Sequence, residues 1–331
     1  MDRRFFLRTS LAGVVIAPLG AAAQQAGKVY RIGVLSLWPP STFTGLMQAF
    51  REGMKELGYV EGRDYVLDIQ HAGGKPDELP RVARMLLTSR VDVLLIGSGL
   101  VLRAVTAATQ TTPIVVAGPD PVGAGVATSL ARPGGNVTGL TNVAALTGTQ
   151  VEGISGKWLE LLRQIVPTLS RILLVMNPVA QSTQTQDIEA AAKGVGLAFL
   201  AIPVEKAEEI EIVLSNLPIR AGDGLIVLSE SPLWVRRARI AELLARKKLP
   251  AIYSLKEYVE AGGLMSYAAD YEYLFRRSAT YVDKILRGTK PGELPIERPS
   301  KFELVINLKT ANALGLAIPP SLLLRADRVI E

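Results

Sequence analysis

Short apolar runs alternate with longer amphipathic stretches along most of the chain, a pattern that predicts strand–helix–strand units. Residues 30–36 (YRIGVLS) read as a first buried strand, and the loop 37–42 places Ser41 or Thr42 to cap a helix. In that helix Phe43, Leu46, Met47, Phe50, Met54 and Leu57 recur at helical spacing, and Gly58 ends it. Residues 65–70 alternate as a second strand and 79–89 form a helix; 91–96 is a continuous apolar strand ending in Gly97-Ser98-Gly99. Helix 100–109 and strand 113–117 complete the set. Apolar strands separated by helices specify a parallel, doubly wound sheet in an α/β lobe.

Residues 113–141 organise the rest. After the strand, Gly118-Pro119-Asp120-Pro121 is too rich in rings and turn formers to continue as strand or helix. A second turn cluster, Arg132-Pro133-Gly134-Gly135-Asn136, leads into the apolar run 137–140, and then the strand–helix alternation restarts. This marks the end of one lobe and the crossing into another, with a ligand cleft between them. In the second half, 157–166 reads as a helix and 171–176 as a strand ending in Asn177-Pro178. Helix 184–195, strand 198–203 and helix 207–217 follow, then strand 224–228 ending in Ser229-Glu230-Ser231 and helix 233–247. Residues 250–253 are a strand and 263–266 a second crossing strand. Helix 271–287 and a Pro-rich link over 291–299 lead to strand 302–307 and a last helix after Pro319-Pro320.

The length of 331 residues admits two lobes with separate cores, and 48% apolar with 21% charged residues is the composition of a folded globular protein. The absence of cysteine and the single histidine remove disulfides, thiolate metal sites, cysteine nucleophiles and most histidine-based catalysis. Residues 2–8 (DRRFFLR) have the pattern of a twin-arginine export signal. An apolar run over 10–20, too short to span a bilayer, and Ala21-Ala22-Ala23 as a cleavage site follow in order. The alternative is a frayed N-terminal helix. Residues 1–23 are expected to be removed, leaving a soluble periplasmic chain from Gln24; no cysteine follows to carry a lipid anchor. Arg3, Arg4 and Arg8 against Asp2 give the signal +2 of the formal net charge of +6. The remaining bases are dispersed among acids on helix faces, so nucleic acid is not an expected partner.

Gly97-Ser98-Gly99 and Gly123-Ala124-Gly125 begin like dinucleotide loops, but Leu102 and Thr128 stand where the third glycine belongs. The chain has no Walker-type lysine loop, G-x-S-x-G elbow or HExxH, and no metal or cofactor is expected. His71 reads as a surface or structural residue. Asp120, Glu230 and Asp270 lie just past strands, where α/β sheets place a ligand crevice; a divalent ion or acid–base chemistry are open to them, and binding of an amine is the simpler use. Asp120, between two prolines, is equally a turn former. Ser36, Ser98, Asn177, Ser229 and Ser254 each end a strand. A helix cap explains each singly; together, on both lobes, they suit a polar small molecule held by hydrogen bonds. Trp38, between Leu37 and Pro39, is a candidate to stack on a planar ligand or a packed loop anchor, and Tyr267 is similar. The candidate ligand-binding set is Ser36, Trp38, Ser41, Ser98 and Asp120 from the first lobe. From the second lobe and the junction it takes Thr141, Asn142, Asn177, Glu230, Ser254 and Tyr267.

Five blocks carry a family likeness: GMKELGYVEGRDY (53–65), PIVVAGPDPVGAGVATSLARPGGNVTGLT (113–141), KWLELLRQIVP (157–167), YVEAGGLMSY (258–267) and YVDKILRGTKPGELPIERPSKFELVINLKTANALGLAIPPSLLLRAD (281–327). In these the chain resembles the ABC-transporter substrate-binding proteins of the tryptophan/tyrosine-type group. The resemblance implies a type I periplasmic-binding clamshell: two doubly wound lobes, hinge strands, and a ligand closed between them for delivery to a membrane permease. It also implies a monomer without catalytic activity. Lobe one is expected over 24–140 with 267–300 returning to it, and lobe two over 141–266 with 301–331 returning. An amino acid, above all an aromatic one, or an aromatic carboxylate is the expected solute class. The loop Leu37-Trp38-Pro39-Pro40 departs from the Gly/Ser-rich loop of the family, and Tyr271 and Tyr273 replace smaller or aliphatic residues. Two rivals remain at this level: a sensor subunit feeding a membrane receptor kinase, and a hydrolase or isomerase using the cleft carboxylates.

Overall fold

A computed structural model describes residues 28–142, 153–178, 182–228 and 231–331. The export signal read over 1–23 lies outside this range. In the first lobe, β1 (Tyr30–Ser36) is followed by α1 (Pro40–Glu56). This helix starts earlier than the Ser41/Thr42 capping pattern predicts. Pro40 occupies its first turn, where a missing N–H breaks no intrahelical bond and the fixed φ favours the helix. β2 (Tyr65–His71), α2 (Leu79–Thr88), β3 (Val93–Ile96), α3 (Gly99–Ala108), β4 (Ile114–Gly118) and β5 (Val137–Thr141) complete a five-stranded parallel sheet ordered β2-β1-β3-β4-β5.

The second lobe contains α4 (Ile154–Ile165), β6 (Arg171–Met176), α5 (Ser182–Gly194), β7 (Ala198–Pro203), α6 (Ile210–Ser215) and β8 (Asp223–Val227). It continues through α7 (Ser231–Val235), α8 (Arg237–Arg246), β9 (Ala251–Tyr253), α9 (Lys256–Glu260) and β10 (Met265–Ala269). The chain then passes back to the first lobe as α10 (Tyr271–Leu286). It re-enters the second as β11 (Phe302–Asn307), α11 (Leu308–Leu314), α12 (Pro320–Leu323) and β12 (Arg328–Ile330). The seven strands run in the order β12-β11-β10-β9-β8-β6-β7. β11 pairs antiparallel to β10, the one departure from the all-parallel expectation. Its cause is topological: the chain leaves β10 and comes back at the same end of the sheet, so the returning strand starts where its neighbour stopped. The crossing strand read over 263–266 begins instead at Met265, because Gly263 is occupied in turning, with the Tyr253 ring packed where its side chain would be.

Apolar residues fill both faces of each sheet. On the small sheet, Leu86, Val101 and Val105 pack on one face, while Phe43, Met47, Phe50 and Phe275 pack on the other. On the large sheet, α4 and α5 supply Trp158, Leu162 and Ile188 to the core on one face. The opposite face belongs to the same cluster as α1 and α10, so one core contains residues of both lobes. At the edge of β5 the segment after α10 adds main-chain bonds, Thr141 N to Glu297 O at 2.9 Å and Glu297 N to Gly139 O at 2.9 Å. At the far end of the large sheet, Arg171 and Asp223 form a bidentate pair (2.8 and 2.7 Å), with the Asp223 side chain 1% exposed. Burial alone would raise the Asp223 carboxyl, but the Arg171 guanidinium and the Arg220 N–H outweigh it and hold the group below its ordinary 3.8.

α10 seats on α1 through a glycine contact. A Cβ on Gly53 would overlap the Arg276 carbonyl oxygen and press on Ala279, and neither can swing away. Gly53→Ala is therefore expected to lose about 1–3 kcal/mol of stability in urea denaturation, as overpacking does. Gly45, on the exposed side of the same helix, has no neighbour nearer than 3.9 Å. Gly45→Ala should be neutral or raise stability by up to about 1 kcal/mol, since only helix propensity changes.

Candidate functional site

The C-terminal ends of β1, β3, β4 and β5 face those of β6, β8, β9 and β10 across the space between the lobes. Trp38 and Trp234 meet there, one from each lobe, with ring centroids 4.9 Å apart and planes inclined by 33°. Trp38 is placed by its neighbours: the Ser36 hydroxyl accepts from Trp38 N at 3.1 Å and donates to Trp38 O at 3.3 Å. The His71 Nδ1–H donates to the same carbonyl at 2.7 Å, which makes His71 structural and fixes its tautomer. Trp38 is 8% exposed, and its indole Nε1–H meets no acceptor among the described residues. Trp234 carries the Arg237 guanidinium over its ring at 4.0 Å from the centroid. The loop tryptophan thus packs on an aromatic of the opposite lobe.

The remaining candidates divide by role. Asp120 Oδ1 accepts from Val122 N (3.1 Å) and Gly123 N (3.0 Å), the Asx-type turn that its proline neighbours suggest. Its charge also reaches Asp187 of α5: burial first, and then Asp120, raise the Asp187 carboxyl above its ordinary 3.8. Ser98 caps α3 by accepting from Val101 N at 3.5 Å. Buried Asn177 donates through Nδ2 to Val204 O at 3.3 Å, tying the end of β6 to the end of β7. Ser254 follows β9, and its N–H donates to Val227 O at 3.1 Å. Thr141 closes β5, almost fully buried. Asn142 donates to the Tyr271 hydroxyl at 2.7 Å, and its own N–H bonds Gly118 O. Asp270 caps α10, accepting from Tyr273 N at 3.0 Å, and pairs with Lys301 at 2.8 Å. Glu230 and Ser229 lie outside the described residues, as does the side chain of Ser41, which sits in the first turn of α1.

Tyr267 is not brought to this group. Its ring stacks on Phe302 (5.4 Å, 10°) on the α4 side of the large sheet, and its carbonyl accepts from Trp158 Nε1 at 2.6 Å. The period of two along β10 explains the placement: Tyr267 points to one face, and Ser266 and Ala268 point to the other. Residues outside the candidate ligand-binding set stand closer. Trp234, Arg237 and Asp187 line the second lobe's side, and Tyr271 lies against Gly118, where an added Cβ would meet its ring at 2.9 Å. Gly118 takes φ +124° there, a conformation that disfavours any side chain. The signal for Tyr271 was its size at a position where small residues are usual. Among the described residues no cluster of three His, Cys, Asp or Glu side chains could hold a metal ion, and no helix is long and apolar enough to cross a membrane.

A model of the family described as ABC transporter substrate binding protein matches residues 32–330. A curated relative, the "Tyrosine-binding protein" of Clostridioides difficile, is 24% identical over 292 residues, covering 87% of this chain and 82% of that protein. A conserved domain protein from Vibrio cholerae superposes with TM-score 0.82 at 27% identity, covering 91% of this chain and all (100%) of that one. An ABC domain from Streptococcus pneumoniae, solved in complex with L-Trp, superposes with TM-score 0.81 at 24% identity, covering 92% and 100%.

The charge on Asp187 has a testable consequence. A carboxyl raised above its unfolded value binds its proton better in the folded protein, so its contribution is most favourable in acid. That contribution is lost as pH rises from about 3.8 through the folded value. Asp187→Asn should therefore melt higher than the parent at pH 7, and the gap should close towards pH 3. A variant that melts at or below the parent at pH 7 would contradict this reading.

Proposed function

Because the chain belongs to the ABC transporter substrate-binding protein family, we propose that it captures a small amino-acid-like solute between its lobes and hands it to a membrane permease. An aromatic amino acid is the favoured class. The observation that carries this reading is the match of the family model to residues 32–330, on a fold in which aromatic residues of both lobes, Trp38 and Trp234, meet between the lobes. The two indoles pack on each other here, so they offer a face to a planar side chain only when the lobes part, and a carboxylate between the lobes suits a cationic ammonium group. The relative from Clostridioides difficile is named for tyrosine, and the fold neighbour from Streptococcus pneumoniae holds L-Trp, which agrees with that class.

Capture works by population shift. A solute that touches groups of both lobes binds the closed form more tightly, and it favours closure only by that difference. The passages between the lobes after β10 and before β11 are the places for the chain to bend. The twin-arginine pattern of residues 2–8 supports a periplasmic location, and we assign the working unit as the monomer.

The test is a thermal-shift screen of residues 24–331 against amino acids, aromatic acids lacking the amine, small peptides and sugars, confirmed by calorimetry. A solute at a hundred times its dissociation constant adds about 2.7 kcal/mol to a state that alone binds it. L-tyrosine or L-tryptophan should give the largest shift, and Trp38→Ala or Trp234→Ala should weaken it about tenfold by removing an aromatic face. Silence across the panel, with mass spectrometry of the denatured protein showing no co-purified solute, would refute the proposal.

A further inference from the structure

Where β9, β10 and the start of α10 converge, a cavity of about 20 Å³ is lined by Leu255, Lys256, Glu257, Ser266, Tyr271 and Glu303. That is room for one group the size of a water molecule. Two of its polar atoms, Glu257 Oε2 and Ser266 Oγ, are buried without a hydrogen-bond partner, and Ser266 is 0% exposed. Buried polar atoms are nearly always paired, so two orphans on one small cavity indicate an occupant that hydrogen-bonds to both. Lys256, on the same wall, does not meet this need. Its Nζ is held by Glu303 at 3.2 Å and lies 3.9 Å from Glu272. Arg237 acts on Glu257 from a distance while stacked over Trp234, so the cavity neighbours the aromatic part of the cleft. Tyr271 forms the wall on the first lobe's side, with Gly118 and Asn142 behind it.

Resting on the solute class given above, we propose that this cavity seats the solute's ammonium group, with Glu257 as its counter-charge and Ser266 as a second acceptor. An ammonium is the size of a water molecule, carries donors for both orphan oxygens, and brings the charge that a buried carboxylate lacks. Asp120 is less suited, since its Oδ1 already accepts two backbone N–H groups. Burial raises the proton affinity of Glu257 more than its own backbone N–H and the charges of Lys256 and Arg237 lower it, which agrees with a carboxylate that a further cation would favour.

Calorimetry on residues 24–331 tests the seat with L-tyrosine and L-tryptophan against their des-amino analogues, 3-(4-hydroxyphenyl)propanoate and indole-3-propanoate. The parent should prefer the amino forms at least tenfold. Glu257→Gln should lose at least tenfold for the amino acids and leave the analogues unchanged, while Ser266→Ala should lose less for the same ligands. Without solute, Glu257→Gln should melt above the parent, which shows that the variant folds and that the carboxylate was uncompensated. Equal preference in parent and variant would overturn the seat and leave the cavity to a water molecule. Ethylammonium chloride against sodium chloride at equal ionic strength supplies a probe independent of the solute class. It should raise the melting temperature of the parent and not of Glu257→Gln. If no amino acid binds, the solute class has failed and the ethylammonium arm still decides the seat; equal shifts in both proteins would overturn it.

Discussion

Among the described residues, the passages of the chain between the lobes lie at the same end of both sheets, and most of what distinguishes this molecule depends on that constraint. It makes β11 run against β10, and it brings α10 back onto α1, where Gly53 lets the helices touch. It also crowds Tyr271, Asn142 and Gly118 into one junction, which Gly118 tolerates only with a positive φ and no side chain. Because parallel strands deliver their C-terminal ends to this side, the polar residues that end them gather along one cleft.

The two ends of the large sheet differ electrostatically, and the difference marks where a ligand belongs. At the end away from the cleft, Asp223 is buried but fully answered by Arg171 and by the Arg220 N–H, so its charge is stable in place. At the cleft end, Asp187 faces another acid and Glu257 has a buried oxygen without a partner. Buried charge without compensation is costly, and a fold keeps it most readily where a binding partner supplies the missing charge. Trp38 follows the same logic, with a buried indole N–H that meets no acceptor although its ring is packed on Trp234.

Strand–helix alternation and the place of His71 at the end of a strand were legible in the sequence, because apolar periodicity and turn residues act locally. Strand-end positions such as Ser36, Ser98 and Asn177 were legible for the same reason. Their hydrogen bonds, however, go to neighbouring backbone, as the capping alternative for each anticipated. Tyr267 stands apart from the other candidates because a strand's period of two puts its ring behind the sheet, while the adjacent Ser266, with no bulk to draw notice, faces the cavity.

By itself, then, the sequence determined the succession of elements, the two α/β lobes and the likeness to a solute-binding family, all of which rest on local patterns or on long matching blocks. Only the tertiary structure decided that Trp38 meets Trp234, that Asp120 bears on Asp187, and that Glu257 and Ser266 share one cavity. Trp38 and Trp234, or Asp120 and Asp187, stand far apart along the chain. No periodicity links them, and their proximity follows from two sheets meeting end to end.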